Sequence, residues 1–182
     1  LIDDHDADSV ALISRNRPVT YGALRDQVGA MRGALAGLGV GQGDRVALLC
    51  ANGRFFVDTY LATIGLGAVA VPLNPTSPAP ELERELSTVK AKVVAVHPSA
   101  VAGWMKVDRA KVPSVEHVIC AEGKIPGAHE FHALLETPPV DIVELDPAAL
   151  AALMFTSGTA GAPRAAMLSH ENLRSNIDPG RS

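Results

Sequence analysis

The sequence contains little cysteine, and this scarcity excludes a scaffold held together by disulfides. Only Cys50 and Cys120 occur among 182 residues, and each ends an apolar run. The two cysteines lie 70 positions apart, so they do not form a paired zinc-binding motif. We therefore predict two reduced, buried thiols, as is typical of a cytosolic protein, and no metal site.

Positive charge and long apolar runs are also scarce. The sequence has 16 Lys and Arg against 20 Asp and Glu, a net charge of −4. No basic stripe runs along it, which argues against a nucleic-acid partner. The most apolar stretch, residues 60–73, contains Pro72 and is too short to cross a bilayer. The acidic residues near the beginning match no calcium-binding loop, so we interpret them as a solvated segment.

What the sequence does contain is an alternation of short β-rich runs and helical runs. Thr20 is a candidate N-cap for a helix over 21–38, in which apolar residues recur at helical spacing. The other predicted helices lie at 55–66, after Pro78 or Pro80, and at 99–109. Apolar runs typical of buried strands occupy 44–50, 68–73, 92–96 and 115–121. This pattern predicts an α/β fold, a layered and mostly parallel sheet with packed helices.

The two ends of the sequence are patterned differently. Near the beginning, two short strands at 10–14 and 18–21 flank a polar turn. Residues 122–146 are poorly patterned, with a short helix predicted near 131–135. A helical turn is expected at 147–151, followed by a strand at 152–156.

One stretch, TSGTAGAPR at 156–164, combines hydroxyl, glycine and guanidinium groups. It joins two apolar segments, 152–156 and 165–168, that we predict to be core strands, whereas a flexible linker would lie in polar surroundings. Its glycines allow backbone N–H groups to converge on one point. Its hydroxyls can donate to phosphate oxygens, and Arg164 matches phosphate geometry. Composition alone is equally compatible with a hairpin turn whose hydroxyls are incidental.

Together with LMF before it and AMLSH after it, this stretch resembles the phosphate-binding signature of the adenylate-forming superfamily, usually TSGTTG-x-PKG. That superfamily includes acyl-CoA synthetases, firefly luciferase and the adenylation domains of non-ribosomal peptide synthetases. Three earlier segments agree with it in order and distance: VTYGAL at 19–24, GDRVA at 43–47 and LATIGLGAVAVPLNP at 61–75. The chain is identified as a member of this superfamily, most similar to a fatty-acid–CoA ligase.

The resemblance implies a two-step reaction with ATP, Mg²⁺ and coenzyme A. A carboxylic acid is adenylated, and a thiol then displaces AMP. The residues implied to bind ATP are Thr156, Ser157, Gly158, Thr159, Ala160, Gly161 and Arg164. Arg164 is also implied to be catalytic, because it would stabilise negative charge on the departing phosphates.

Three positions depart from the usual signature. Ala160 stands where a hydroxyl residue is common, Arg164 replaces the usual lysine, and Ala165 replaces a common glycine. The first removes one phosphate contact, the second keeps the charge but changes its reach, and the third affects how closely the backbone approaches the nucleotide.

Members of the superfamily are well over twice as long as this chain. We therefore expect residues 1–182 to be an incomplete N-terminal domain, without the rest of that domain and without the C-terminal domain. Because the chain begins at Leu1 rather than Met, we also expect its true start to be missing. We expect this fragment to be inactive alone. No signal peptide is visible, so the predicted location is the cytoplasm.

Three alternatives to a fatty-acid–CoA ligase remain open. The protein could be an acyl-AMP ligase that feeds a carrier protein, an adenylation domain for an amino acid, or a non-catalytic structural module.

Other signals are weaker. GLGVGQG at 37–43 follows a helix and precedes a strand, the reverse of a dinucleotide-binding motif. His129 and His132 have the spacing of a helical metal pair but no third ligand nearby, so we interpret them as an exposed helix face. Ser169 is a candidate N-cap for the next helix, and a structural role is expected for His170. Ser157 lies in no hydrolase elbow, so no nucleophile is predicted.

Overall fold

The structure, a computed structural model, describes residues 2–122, 125–155 and 163–176. Its strands are β1 (Val10–Ser14), β2 (Arg17–Thr20), β3 (Arg45–Leu49), β4 (Val69–Leu73), β5 (Val93–Val96), β6 (His117–Cys120), β7 (His129–Glu130), β8 (Leu150–Phe155) and β9 (Ala165–Ser169). Its α-helices are α1 (Tyr21–Gly37), α2 (Arg54–Gly65), α3 (Ala79–Val89), α4 (Val101–Trp104), α5 (Phe131–Leu134) and α6 (His170–Ser175).

Strands β1 and β2 form an antiparallel hairpin, and the other strands form one seven-stranded sheet. The order in that sheet is β7-β6-β5-β3-β4-β8-β9, and every neighbouring pair is parallel except β8 and β9. From β3 the chain passes through α2 to β4 on one side, and from β4 it returns through α3 to β5 on the other. The predicted α/β class and the mostly parallel, layered sheet are confirmed.

The sheet is buried between helices on both faces. On one face, Val46 and Leu48 of β3 belong to the same hydrophobic cluster as Met31 of α1. On the other face, Leu49 belongs to the cluster that contains Leu82 of α3. Because burying apolar surface is the main favourable term in folding, the centre of the sheet is where most of the stability resides.

Helix α1 follows the sequence prediction closely. The hydroxyl oxygen Oγ1 of Thr20 accepts a hydrogen bond from the backbone N–H of Ala23 at 3.2 Å, so the predicted N-cap is confirmed. The hairpin before it turns through Arg15 and Asn16, whose φ angles are 50° and 59°. Two left-handed residues in succession give the turn that matches the twist of antiparallel strands.

The poorly patterned region contains an extended strap, residues 137–145, that crosses helices α1 and α2. The guanidinium Nε of Arg32 donates to the carbonyl of Val140 at 2.6 Å, and the N–H of Val143 donates to the carbonyl of Gly65 at 2.9 Å. At Gly33 a Cβ atom would overlap the carbonyl oxygen of Pro138. A glycine in α1 is therefore what allows the strap to pass so close to the helix.

Three predictions about elements are wrong. The helix expected over 99–109 is only α4, between short 3-10 turns at Pro98–Ala100 and Arg109–Lys111. It ends early because the N–H of Asp108 bonds to Glu83 Oε1 at 2.9 Å and the Asp108 carboxylate caps Ala110 instead. The helical turn expected over 147–151 is a turn that enters β8 at Leu150.

The third error concerns residues 165–168, expected to form a core strand. They form β9, an edge strand, and Met167 on it is 69% exposed.

Two further observations bear on the sequence analysis. Cys50 and Cys120 are buried free thiols, as predicted, and burial raises the pKa of both. None of the described helices has the length and hydropathy needed to cross a bilayer.

Candidate functional site

The carboxyl ends of the central parallel strands lie level with one another. Leu49 at the end of β3 is opposite Leu73 of β4 and Val96 of β5, and Val96 is opposite Cys120 of β6. In open α/β sheets, ligands bind outside this edge, because the loops that follow the strands converge there.

Strand β8 brings the candidate phosphate-binding stretch to the same edge. It runs parallel to β4 with Ala152 opposite Ala70, so Phe155 reaches the level of Leu73. Strand β9 then returns antiparallel, with Ala165 opposite Phe155. Residues 156–164 therefore connect the two strand ends at the ligand-binding edge, and this connection is longer than the usual hairpin loop of about two to five residues.

Most of the predicted ATP-binding residues lie outside the described residues: Thr156, Ser157, Gly158, Thr159, Ala160 and Gly161. Arg164 is described. It is exposed and immediately precedes the first residue of β9. The structure thus fixes the two ends of the connection and places Arg164 at its last position, next to β9. The roles of all seven residues stay predictions.

The far end of β9 is anchored by a helix cap, as predicted. The N–H of Asn172 donates to Ser169 Oγ at 3.2 Å, and the N–H of Ser169 donates to Asn172 Oδ1 at 3.0 Å, a reciprocal capping box. The N–H of the next residue, His170, donates to the carbonyl of Ala149 at 3.0 Å. Burial lowers the pKa of the His170 imidazole. These contacts tie the end of β9 to the start of β8, so the hairpin is held firmly at the end away from the connection.

The interpretation of His129 and His132 as an exposed helix face is wrong for His129, because the two histidines do not share a helix. His129 lies in β7, where its Nε2 is 3.3 Å from Nδ1 of His117, whereas His132 is exposed in α5. Within residues 2–122, 125–155 and 163–176, no group of three or more potential ligands comes together to hold a metal ion.

The sequence analysis overlooked a buried carboxyl group on α2. Asp58 is completely buried, and its Oδ2 lies 3.6 Å from Nε of Arg54, one helical turn earlier. Burial raises the pKa of Asp58 to about 7, and the nearby guanidinium opposes that rise. The sequence did carry a signal, because Asp58 lies between Phe55 and Ala62 on the helical face that also buries them.

The architecture and the long connection at the edge of the sheet define an α/β fold of the class that binds ligands at the carboxyl ends of its parallel strands. A model of the AMP-binding enzyme family matches residues 3–179, and the chain belongs to that family.

The proteins to which this chain is similar are named as different kinds of enzyme. It is 35% identical over 161 residues to a feruloyl-CoA synthase from Amycolatopsis, covering 87% of this chain and 30% of that protein. It is 33% identical over 159 residues to the hybrid PKS-NRPS synthetase gkaA from Penicillium citrinum, covering 87% of this chain and 4% of that protein.

A solved structure confirms the fold. The anthranilate CoA ligase AuaEII, crystallised in complex with anthranoyl-AMP, superposes with a TM-score of 0.85 at 27% identity. The superposition covers 91% of this chain and 32% of the ligase. The chain therefore spans about a third of the length of the CoA-ligating relatives it matches.

Proposed function

We propose that this chain supplies the ATP phosphate-binding part of an acid–thiol ligase. The observation that carries the proposal is the connection 156–164, with its TSGTAGAPR sequence, at the carboxyl edge of a sheet of the AMP-binding type. A glycine-containing connection at this edge offers backbone N–H groups to an anion.

The reaction has two steps. In the first, a carboxylate oxygen of the acid attacks the α-phosphorus of ATP, and the bond to the bridging oxygen breaks, releasing pyrophosphate and leaving an acyl-adenylate. In the second, the sulfur of coenzyme A attacks the acyl carbon, the bond to the AMP oxygen breaks, and the thiol proton is lost to solvent. The products are an acyl-CoA thioester and AMP.

The residues of this chain act in the first step. As pyrophosphate leaves, negative charge grows on the β- and γ-phosphate oxygens, and donors already in place stabilise it most effectively. We assign this role to the hydroxyls of Thr156, Ser157 and Thr159 and to the guanidinium of Arg164, with Mg²⁺ supplying further positive charge. Gly158, Ala160 and Gly161 contribute backbone N–H groups only.

The acid is a further part of the proposal. The sequence resemblance favours a fatty acid, while the names of the feruloyl-CoA and anthranilate-CoA relatives refer to aromatic acids. We propose a carboxylic acid as substrate, with fatty acids as the first class to test and aromatic acids as the second.

We also propose which part of the ligase this chain forms. Residues 1–182 would form part of the N-terminal domain of such a ligase, and other segments would bind the adenosine and the acid. The 182-residue chain would then be inactive alone. Met154 on β8 and Met167 on β9 are exposed on the last two strands at one edge of the sheet. They support this arrangement, because they offer apolar surface against which further structure can pack.

An amino-acid adenylation domain is the second candidate, favoured by the similarity to the hybrid PKS-NRPS synthetase. An acyl-AMP ligase would share the first step with both. A non-catalytic module would share only the fold.

One assay separates these functions. The longest protein that contains this chain is incubated with ATP, Mg²⁺ and a panel of fatty, aromatic and amino acids. Pyrophosphate–ATP exchange is measured for each acid, and AMP release is measured with and without coenzyme A. We expect acid-dependent pyrophosphate exchange and AMP release that requires coenzyme A. Exchange without a response to coenzyme A would favour an acyl-AMP ligase or an adenylation domain, and no exchange with any acid would overturn the proposed activity.

A further inference from the structure

A second cleft opens at the carboxyl edge, away from the connection 156–164. It has a volume of about 810 Å³ and lies where β3, β5 and β6 end, roofed in part by the β1–β2 hairpin. The chain leaves β3 toward β4 on one side, and β5 lies on the other, so the cleft sits at the switch point of the sheet. Crevices of this kind are where open α/β sheets bind ligands, since the loops on either side diverge.

The ionisable side chains that line this switch-point cleft are basic with one exception. Its ionisable side chains come from five separate segments of the chain: Arg15, Arg17, Arg54, His97, His132 and Glu122. The single carboxylate is already engaged, because Glu122 Oε1 lies 3.3 Å from Nη1 of Arg15. Arg54 is paired with Asp58 behind the cleft at 3.6 Å, and Arg17 forms no ion pair among the described residues. The cleft therefore keeps a net positive charge even with both imidazoles neutral.

Arg54 is the most constrained of these groups. Its side chain is 36% exposed, and its Nε is buried with no hydrogen-bond partner among the described residues. The Oδ2 atom of Asp58 lies 3.6 Å from this Nε, which is close enough for electrostatic attraction but too far for a hydrogen bond. Arginine presents five donors in a rigid fork, so donors remain for a ligand in the cleft that Arg54 lines.

The start of α2 adds to the same charge. Its N-cap residue, Gly53, makes no side-chain cap, and nothing lies within 4 Å of where a Cβ would stand. The uncapped N–H groups of the first turn carry partial positive charge, which favours an anion. Glycine at this position leaves the space beside those groups open.

From this arrangement we propose that the switch-point cleft binds a small phosphate-bearing molecule, at a site separate from the connection 156–164. Strand β4 lies between β3 and β8, so the two sites are roughly 10 Å or more apart at usual strand spacing. Phosphate is the expected group because guanidinium forks and helix N-termini both match its oxygens. The proposal does not depend on the activity proposed for the connection.

The test is a titration of the ¹⁵N-labelled 182-residue chain with inorganic pyrophosphate at pH 7 and low salt, followed residue by residue by NMR. We expect saturable shifts in the amides of residues 52–55, 97 and 121. Arg17→Gln should weaken this binding about tenfold, or about 1.4 kcal/mol, because it removes one charge-assisted hydrogen bond to the ligand. Arg54→Lys keeps a charge beside Asp58 but loses the fork, and should weaken binding about threefold.

The matched control is Lys106→Gln, which removes one positive charge from an exposed position outside the cleft. Equal weakening by Lys106→Gln would show charge-driven, non-specific binding and overturn the proposal. So would shifts confined to residues 163–170, or shifts that do not saturate. Malonate is titrated in parallel, and tighter binding of malonate than of pyrophosphate would overturn the assignment to phosphate. If circular dichroism shows that Arg54→Lys does not fold, the test rests on Arg17→Gln, because Arg17 is exposed and its substitution should leave the fold intact.

Discussion

Strands β3 and β9 belong to the same sheet but occupy opposite environments. In β3 the residues from Val46 to Leu49 are almost completely buried, with a parallel strand on each side and helices over both faces. Strand β9 has one neighbour, and Met167 on it is 69% exposed. The candidate phosphate-binding connection nevertheless ends at β9, not at β3.

This contrast separates stability from chemistry. Buried apolar area determines how much a substitution in β3 lowers the free energy of unfolding. Residues at the ends of the connection bury little apolar area, so their side chains can serve ligand binding without loss of stability. Substitutions in the centre should therefore lower stability whatever the ligand, and substitutions beside the connection should lower activity while leaving stability unchanged.

The largest effect on stability is expected for Leu48→Ala. Leu48 is fully buried in the central strand, so the change removes apolar contacts and leaves a cavity, at a cost of about 2–5 kcal/mol in the free energy of unfolding. Urea denaturation of the 182-residue chain measures it. Met167→Ala is the matched control in β9 and should cost no more than about 0.5 kcal/mol. Similar losses for the two variants would show that β9 is as much part of the core as β3.

The strap over α1 gives the next largest effect. Gly33→Ala would place a methyl group on the carbonyl oxygen of Pro138, and relieving that overlap should cost about 2 kcal/mol of stability. Gly37→Ala in the same helix has nothing within 4 Å, so it should be neutral or stabilise by up to about 1 kcal/mol. A Gly33→Ala variant as stable as Gly37→Ala in urea would mean that the strap does not lie on α1.

Asp58 should make stability depend on pH. Its pKa is about 7 in the folded chain against an ordinary 3.8, so the folded state holds the proton more tightly than the unfolded state does. That contribution is fully present below about pH 4 and is lost as the pH rises toward 7. Asp58→Asn removes this titration, so its free energy of unfolding should rise relative to that of the wild type by about 2–3 kcal/mol between pH 5 and pH 8. A stability difference between the two proteins that stays constant over this range would contradict the assignment.

Much of the parallel core could be predicted because its signals are local. The apolar run at 44–50 specifies a buried strand in any surroundings, and Thr20 caps α1 through a residue three positions away. Ser169 is a cap of the same kind. The connection 156–164 could be proposed as a site for a related reason, since its residues are contiguous in the sequence and resemble a known signature.

What could not be predicted depends on residues far apart in the sequence. The switch-point cleft draws Arg17, Arg54 and His132 together only because β5 lies beside β3 rather than beside β4. Periodicity does not specify strand order. Helix α4 is short for a similar reason, because the contact between Asp108 and Glu83 competes with helix formation. The exposure of β9 follows from its place at the edge of the sheet.

The most direct test of the proposed function is pyrophosphate–ATP exchange by the Arg164→Ala variant of the longest protein that contains this chain. Arg164→Lys, which restores the usual residue of the signature, and Arg174→Ala, at an exposed position on α6, are the controls. If Arg164 stabilises the departing phosphates, Arg164→Ala lowers the exchange rate on the order of 10²-fold, while Arg164→Lys retains most of the activity and Arg174→Ala all of it. An exchange rate for Arg164→Ala equal to that of the unaltered protein would contradict the account.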